Sequence, residues 1–501
     1  MAIQGGLMRT KDVDDVINQN LEGPSESHHA RLSKRLSSTD LMGFGIGIVI
    51  GTGIFTLTGV EAKNSAGPGI VISFLIAGVV SLLAAICYAE LAAAVPTAGS
   101  SYTYAYATIG EIFAWIIAWD LILEFTLGAA VVARGWSGYL QEALGLPQAY
   151  FGEDNSVVNL GAVAIVLVLG GIAAIGIKES KWVTNTLVLI KVAVCLFVIV
   201  VGAFFVKASN LLPFIPPSAP PADSGLTRLQ QPLWQFASGI EPAAFGVSGL
   251  LVAAAVVFFA YSGFEAVANL GEETKNPAKD MPRGLLGTLG ICTLLYVGVC
   301  VVLTGMVKYT DLSEGAPISD AFNQVGLEWA GLLIGIAAIC GLTSVILVDI
   351  VAIGRIGYAI CRDGLLPPAF GKIHPRWHTP YRFTIGITIL IALFAAFVPL
   401  ATLAEMVSIG TLFAFFVVSI AVAVLRRTKP RMERPFRTPQ VPLLPIVSAL
   451  LCLALMSSLA VETWLRFLVW LVLGLAIYLG YGRRHSALHS RKNKERIEAS
   501  L

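Results

Sequence analysis

The chain has 501 residues, of which 56% are hydrophobic and only 13% are charged, and its mean hydropathy is +0.77. Soluble globular domains carry about 25% charged residues, so this composition excludes an ordinary soluble protein and favours one that uses lipid as its solvent. The net charge of +2 gives no bulk electrostatic reason to expect nucleic-acid binding.

The chain begins with a polar segment and continues with apolar ones. Residues 1–39 contain no apolar core, so they predict a cytoplasmic tail instead of a signal peptide, with an amphipathic helix around Val13–Ile17. Twelve segments that follow are apolar and long enough to cross a bilayer. They lie at about 41–61, 68–94, 111–139, 157–177, 182–206, 247–270, 284–306, 326–361, 382–399, 402–425, 441–461 and 464–482.

The Lys and Arg residues of the segments between the spans indicate how the chain is oriented in the membrane. With both termini inside, the inner segments hold 26 Lys and Arg and the outer segments hold 5, while Arg134, Lys191 and Arg355 fall within spans. The positive-inside rule therefore places both ends in the cytoplasm of a cell membrane protein. The Pro-rich connection at 207–246 is then an external loop, expected to contain a short helix, and residues 483–501 form a basic cytoplasmic tail.

The first span is interrupted by glycines. Five of them alternate between Gly43 and Gly53, and each costs about 1 kcal/mol in a helix interior relative to Ala. Gly43 and Gly47 also fit close helix packing, but Gly51-Thr52-Gly53 at mid-membrane depth predicts local unwinding. Such backbone is tolerated only beside protein or a cavity. The N–H end of the following half-helix would suit a carboxylate and the freed carbonyls an ammonium, so an α-amino acid fits between them.

The sixth span carries a second interruption, Phe258-Phe259-Ala260-Tyr261-Ser262-Gly263-Phe264-Glu265. A packing stripe of aromatic residues with one kink glycine is the alternative. Two interrupted spans in corresponding positions of two halves are, however, typical of an inverted-repeat transporter site.

These motifs resemble those of the amino acid–polyamine–organocation superfamily. The resemblance is carried by Gly51-Thr52-Gly53-Ile54-Phe55, by Gly67-Pro68, by Tyr88-Ala89-Glu90-Leu91, by Pro96-Thr97-Ala98-Gly99-Ser100-Ser101-Tyr102, by the sixth-span run above with Glu272-Glu273 and Asn276-Pro277, and by Arg362-Asp363-Gly364-Leu365-Leu366-Pro367. Their order and spacing hold from about residue 35 to 485. The chain looks most similar to bacterial homologues of the cationic amino acid transporters.

The resemblance implies an all-α polytopic fold with a five-plus-five inverted repeat (the LeuT-like arrangement) and alternating access. Spans 1–5 (40–206) and spans 6–10 (247–425) would form the two repeats, and 426–482 would add a cytoplasmic loop and two extra helices. Substrate would bind between spans 1, 3, 6 and 8. The expected binding residues are Val49, Ile50, Gly51, Thr52, Gly53, Phe259, Ala260, Ser262, Glu124 and Asp349.

Ionisable residues inside spans are functional candidates by default. Lys191 stands alone in the apolar fifth span, about 15 Å from Lys181 along a helix. Desolvation disfavours the charged form of a buried amine, so Lys191 can release a proton. In proton-coupled relatives a lysine of this span faces the broken first helix, and we therefore expect Lys191 to couple transport to protons. A permanent pairing with a carboxylate is the alternative.

Two acids of the third span lie on one face, Asp120 and Glu124. In related transporters the position of Glu124 approaches the acid that follows the break in the sixth span, here Glu265. If the two lie close, they titrate as a coupled pair, and both are expected to take part in proton coupling. A hydrogen-bonded structural role is the alternative for Glu124, and it is the role we expect for Asp120.

Asp349 of the eighth span occupies a position that faces the substrate side chain in the family, where relatives often have an apolar or small residue. An aspartate there would attract an amine or guanidinium. A salt bridge with Arg355 is the alternative, although six residues place Arg355 on another face.

The expected function is therefore secondary active transport of amino acids, coupled to protons, with cationic amino acids favoured. A permease for small neutral amino acids and an amino acid/polyamine exchanger are alternative functions of the same class. A transport-inactive membrane sensor would need a signalling tail, and a membrane enzyme would need a catalytic constellation; the sequence has neither. We expect no cofactor and no metal, including at His374 and His378, and the sequence says nothing about an accessory subunit.

Overall fold

The structure is a computed structural model. It describes residues 36–94, 102, 105–106, 110–152, 158–176, 181–219, 228–241, 243–428, 430–431 and 433–487. The predicted helix around Val13–Ile17 and the end of the basic C-terminal tail lie outside the described residues.

Each predicted span coincides with a helix, and in the described residues the helices are α1 (Ser38–Val49), α2 (Ile70–Ala94), α3 (Glu111–Leu144), α4 (Leu160–Ile175), α5 (Lys181–Gly202), α6 (Gly246–Val257), α7 (Pro277–Met306), α8 (Glu328–Arg362), α9 (Tyr381–Phe397), α10 (Leu400–Thr428), α11 (Leu443–Ser457) and α12 (Val461–Ile477). Shorter helices lie between them. One of these, Leu233–Ser238, is in the segment predicted to be a loop with a short helix.

The chain is a multi-pass membrane protein. Eight helical segments of its described part are long and apolar enough to cross a bilayer, and α1, α4, α9 and α11 are shorter apolar helices. Large apolar side chains such as Leu189, Leu294 and Val472 are exposed on the outer faces of the bundle. A surface of this kind suits lipid and would be unfavourable in water.

The centre of the bundle is α3. It packs against α8 and α10 and also contacts α4, α9 and α12. Its polar residues, among them Asp120, Glu124 and Arg134, are buried. Because α3 has protein on most of its faces, a charge on it must find a partner within the protein or remain unpaired.

An ion-pair cluster joins the end of α2 to the segment that follows α10. Glu90 is buried, and its carboxylate accepts hydrogen bonds of 2.9 Å from both Nε and Nη2 of Arg426. Arg434 Nε lies 3.2 Å from Glu90 Oε1, and the Thr438 amide donates to Oε2 at 2.7 Å. Burial of an acid is tolerated when its oxygens are satisfied in this way, so the cluster holds the segment between α10 and α11 against α2.

Candidate functional site

The first helix breaks where the glycine run predicts. Helix α1 ends at Val49, and Ile50 is extended with φ −75° and ψ 98°. The chain then continues as a π-helical turn, Gly53–Leu57, and a short α-helix, Thr58–Glu61. Amides at the start of a helix and carbonyls at the end of one have no partner within it. The break therefore places polar backbone groups inside an apolar bundle.

The second break follows α6. The chain passes through a tight 3₁₀ turn, Phe258–Tyr261, and an extended Ser262, and then continues as a 3₁₀ helix, Phe264–Glu273. Gly263 has a φ of +93°, which is a left-handed conformation that glycine adopts without strain. The Gly263 amide donates to both carboxylate oxygens of Glu265 at 3.1 Å. Glu265 therefore caps the resumed helix.

The two breaks touch each other at Gly53. A Cβ at this position would lie 2.4 Å from both Cα and Cβ of Ala260, so only glycine permits the approach. Gly51 is different, because its nearest neighbour, Val345 Cγ2, would be 3.8 Å away. The expectation that Gly43 and Gly47 serve packing is right for Gly47, which lies against Val188, and wrong for Gly43, whose surroundings are open.

A tyrosine of α7 joins the breaks, and the sequence analysis did not identify it. The Tyr296 hydroxyl lies 2.7 Å from the Val49 carbonyl oxygen and 3.0 Å from that of Ala260, and its single hydrogen is shared between them. Its ring is fully buried. A buried tyrosine hydroxyl needs a hydrogen-bond partner. A single tyrosine in an apolar span is therefore the sequence feature from which the role of Tyr296 could have been predicted.

We expect Tyr296→Phe to weaken substrate binding roughly fivefold, because a buried hydrogen bond contributes about 1 kcal/mol and its loss frees both breaks to shift. Binding of labelled substrate to purified protein measures this. Tyr478→Phe is the matched control, because that hydroxyl donates to Glu111 at 3.0 Å, away from the breaks. Equal losses in the two variants would show that Tyr296 acts only on overall stability.

A cavity lies between the breaks, α3 and α8. Eight of the ten predicted binding residues line it: Val49, Gly51, Thr52, Gly53, Glu124, Phe259, Ser262 and Asp349. The other two, Ile50 and Ala260, are buried next to it. Residues that the sequence analysis did not single out, Phe125, Gly128, Val132, Val345 and Val407, complete much of its apolar wall.

Two acids face this cavity, and neither makes an ion pair with any described side chain. Asp349 lies beside Gly128, where a Cβ would be 3.6 Å from its Oδ2. The structure shows no bond between Asp349 and Arg355, whose side chain is exposed. Glu124 lies close to Glu265 and Thr411. Two carboxyl groups that lie close together do not readily ionise at the same time, and they titrate as a coupled pair.

Lys191 lies outside the cavity but touches the first break. Its side chain is 1% exposed, and its Nζ donates to the Gly47 carbonyl oxygen at 2.6 Å. That oxygen belongs to the last turn of α1, where carbonyls have lost their helical partners and the helix dipole favours a cation. Its Cε would lie 3.0 Å from a Cβ at Gly341, so Lys191 connects α5, α1 and α8.

Comparison with known proteins places this arrangement in a family. Residues 36–477 match the model of the amino acid permease family. The chain is 43% identical to the methylthioribose transporter of Bacillus subtilis (93% of this chain, 97% of the relative) and 41% identical to that organism's branched-chain amino acid permease BcaP (97% and 100%). It is 38% identical to the vacuolar cationic amino acid transporter 4 of Arabidopsis thaliana (85% and 68%).

The match covers both broken helices, the cavity between them and the helices that surround it. The proposed resemblance is therefore confirmed, and the relatives are transporters and permeases. The chain belongs to the amino acid permease family of the amino acid–polyamine–organocation superfamily.

Proposed function

We propose that this permease takes up amino acids together with protons and prefers those with a cationic side chain. The observation that carries the preference is the charge of the cavity. Glu124 and Asp349 line it, and among the described residues that line it none is basic. A buried acid without a partner is unfavourable, and an amine or guanidinium of the substrate would offset that cost.

The two breaks supply the rest of the binding geometry. The half-helix that begins at Gly53 directs its N–H end towards the cavity and suits the substrate carboxylate. The end of α1 supplies carbonyl oxygens for the ammonium group. Asp349 comes from α8, on another side of the same cavity, so it suits the substrate side chain.

Proton coupling is supported by the contacts of three buried groups. Lys191 donates to the end of α1, so its protonation state can alter the first break. The carboxyl pair Glu124 and Glu265 links the cavity to the break in α6. A proton on the pair or on Lys191 therefore acts on the same backbone segments that hold the substrate.

A second candidate substrate class is the amino acids with uncharged side chains. Two of the relatives are described as transporting branched-chain amino acids and methylthioribose. Several cavity walls are also apolar, among them Val132, Val345 and Val407. Under this alternative Asp349 would be neutral, and the site would accept alanine as well as arginine.

Asp349→Asn separates these alternatives. The change keeps size and hydrogen-bonding capacity but removes the charge. A hydrogen bond to a charged group contributes about 1.5–3 kcal/mol, against about 1 kcal/mol for a neutral pair. We therefore expect a roughly tenfold loss of arginine affinity and an unchanged alanine affinity, measured by competition against labelled substrate.

Asp311→Asn is the control for this experiment, since Asp311 is exposed and does not line the cavity. Equal losses of arginine and alanine affinity in Asp349→Asn would make Asp349 a structural residue. The preference for cationic substrates would then have no support.

We place the protein in the cell membrane, and the distribution of Lys and Arg supports an orientation with both termini in the cytoplasm. In this orientation the 207–246 segment faces the outside. The boundaries of the two repeats, 40–206 and 247–425, belong to the same proposal.

A further inference from the structure

One acid inside the bundle has no role in the site described above. Asp120 of α3 is 0% exposed, and neither of its carboxyl oxygens has a hydrogen-bond partner in the part of the chain that the structure describes. The backbone of α10 makes room for it, because a Cβ at Gly410 would lie 2.8 Å from Asp120 Oδ1. Gly410 therefore leaves space for the Asp120 side chain, which makes no hydrogen bond to any described residue there.

This arrangement does not fit the structural role that the sequence suggested. A structural acid in a membrane protein is expected to pair with a base, as Glu90 pairs with Arg426. An ionised carboxylate with no donor in the bundle interior is strongly unfavourable. The position of Asp120 suits an acid that carries a proton.

The neighbours of Asp120 show where such a proton could go. Glu124 is one helical turn along α3, about 6 Å in rise, and lies close to Glu265. Other charged groups on elements around α3 are placed elsewhere: Asp349 of α8 faces the cavity, Glu405 of α10 accepts from Thr463 at 2.5 Å, Arg426 of α10 pairs with Glu90, and Glu462 of α12 pairs with Arg466. The remaining ones on α8, α9 and α10 are exposed: Glu328, Arg355, Arg362, Arg382 and Arg427. The charged group nearest to Asp120 along this face is therefore Glu124.

We propose that Asp120 is a relay residue between the Glu124–Glu265 pair and the cytoplasm. The inference rests on the proposed proton coupling. Asp120 lies between Glu124 and the end of α3 that the positive-inside count places in the cytoplasm, about 14 Å from Glu111. It releases its proton to cytoplasmic water when the interface of α3 and α10 hydrates. The proton shared by the pair then moves to the Asp120 carboxylate, and the pair takes a proton from the outer side.

Asp120→Asn in proteoliposomes tests this relay, because asparagine is nearly isosteric and cannot release a proton in this way. We expect substrate binding and substrate exchange to persist, since Asp120 does not line the cavity. We expect accumulation driven by an imposed pH gradient to fall to the level seen without a gradient. Asp120→Glu should restore part of it.

A second readout does not depend on transport. Infrared difference spectra of the purified protein between acidic and alkaline buffer should contain a protonated-carboxyl band that Asp120→Asn removes and Asp320→Asn, a partly exposed control, leaves intact. Two results would overturn the relay: gradient-driven accumulation by Asp120→Asn equal to that of the wild type, or binding, exchange and accumulation all lost together with thermal stability. If substrate accumulation by the wild-type protein does not respond to the pH gradient, the proposed coupling is overturned, and the relay with it.

Discussion

Replacing Gly53 by alanine is expected to abolish substrate binding. The added Cβ would lie 2.4 Å from Cα and Cβ of Ala260, a distance at which one of the two broken helices must move. Moving either break displaces the backbone groups that we propose hold the substrate, and a misplacement of about 1 Å in such a site is enough for a large loss. Gly53→Leu, which also blocks the approach of a carboxylate, should be at least as severe.

Two other glycines of the same run serve as controls. Gly43→Ala should leave binding unchanged, because nothing lies within 4 Å of the added Cβ. Gly51→Ala should weaken binding, because the added Cβ lies at the cavity. It should not abolish binding, because that Cβ makes only an ordinary contact with the protein, 3.8 Å from Val345. Normal affinity in Gly53→Ala would contradict the proposed contact between the breaks.

Replacing Lys191 by alanine is expected to remove proton-driven accumulation and to preserve substrate exchange. The variant loses the donor to the Gly47 carbonyl oxygen and the group whose charge can change at that position. Lys191→Arg is a useful companion, because arginine keeps the charge and does not release its proton. It should also fail to accumulate substrate against a gradient.

The measurement for both Lys191 variants compares counterflow, which needs no net proton movement, with uptake under an imposed pH gradient. If Lys191→Ala still responds fully to the gradient, the lysine is structural. Glu124 and Glu265 would then carry the coupling alone.

Hydropathy alone predicted the twelve spans, because lipid requires about 20 apolar residues for each crossing and this requirement is local in sequence. The breaks were also predictable, since Gly51-Thr52-Gly53 and Ser262-Gly263 oppose helix formation locally. The predicted contribution of spans 3 and 8 to the site came from the resemblance to the family, and most of the predicted binding residues line one cavity.

Contacts between distant segments were not predictable in the same way. That Gly53 must be glycine depends on Ala260, which is 207 residues away, and the role of Tyr296 depends on carbonyl oxygens of α1 and the α6 break. Asp120 was expected to be structural because it lies nearer the start of its span than Glu124 does. Only the packing of α10 shows that its oxygens are unpartnered.

The central claim, proton-coupled transport of cationic amino acids, is tested most directly by uptake of labelled arginine into proteoliposomes that contain the wild-type protein. The account predicts accumulation when the outside is made acidic, its collapse when a protonophore dissipates the gradient, and stronger inhibition by unlabelled arginine than by alanine. Uptake that is the same with and without the gradient, or that alanine inhibits more strongly than arginine, would contradict it.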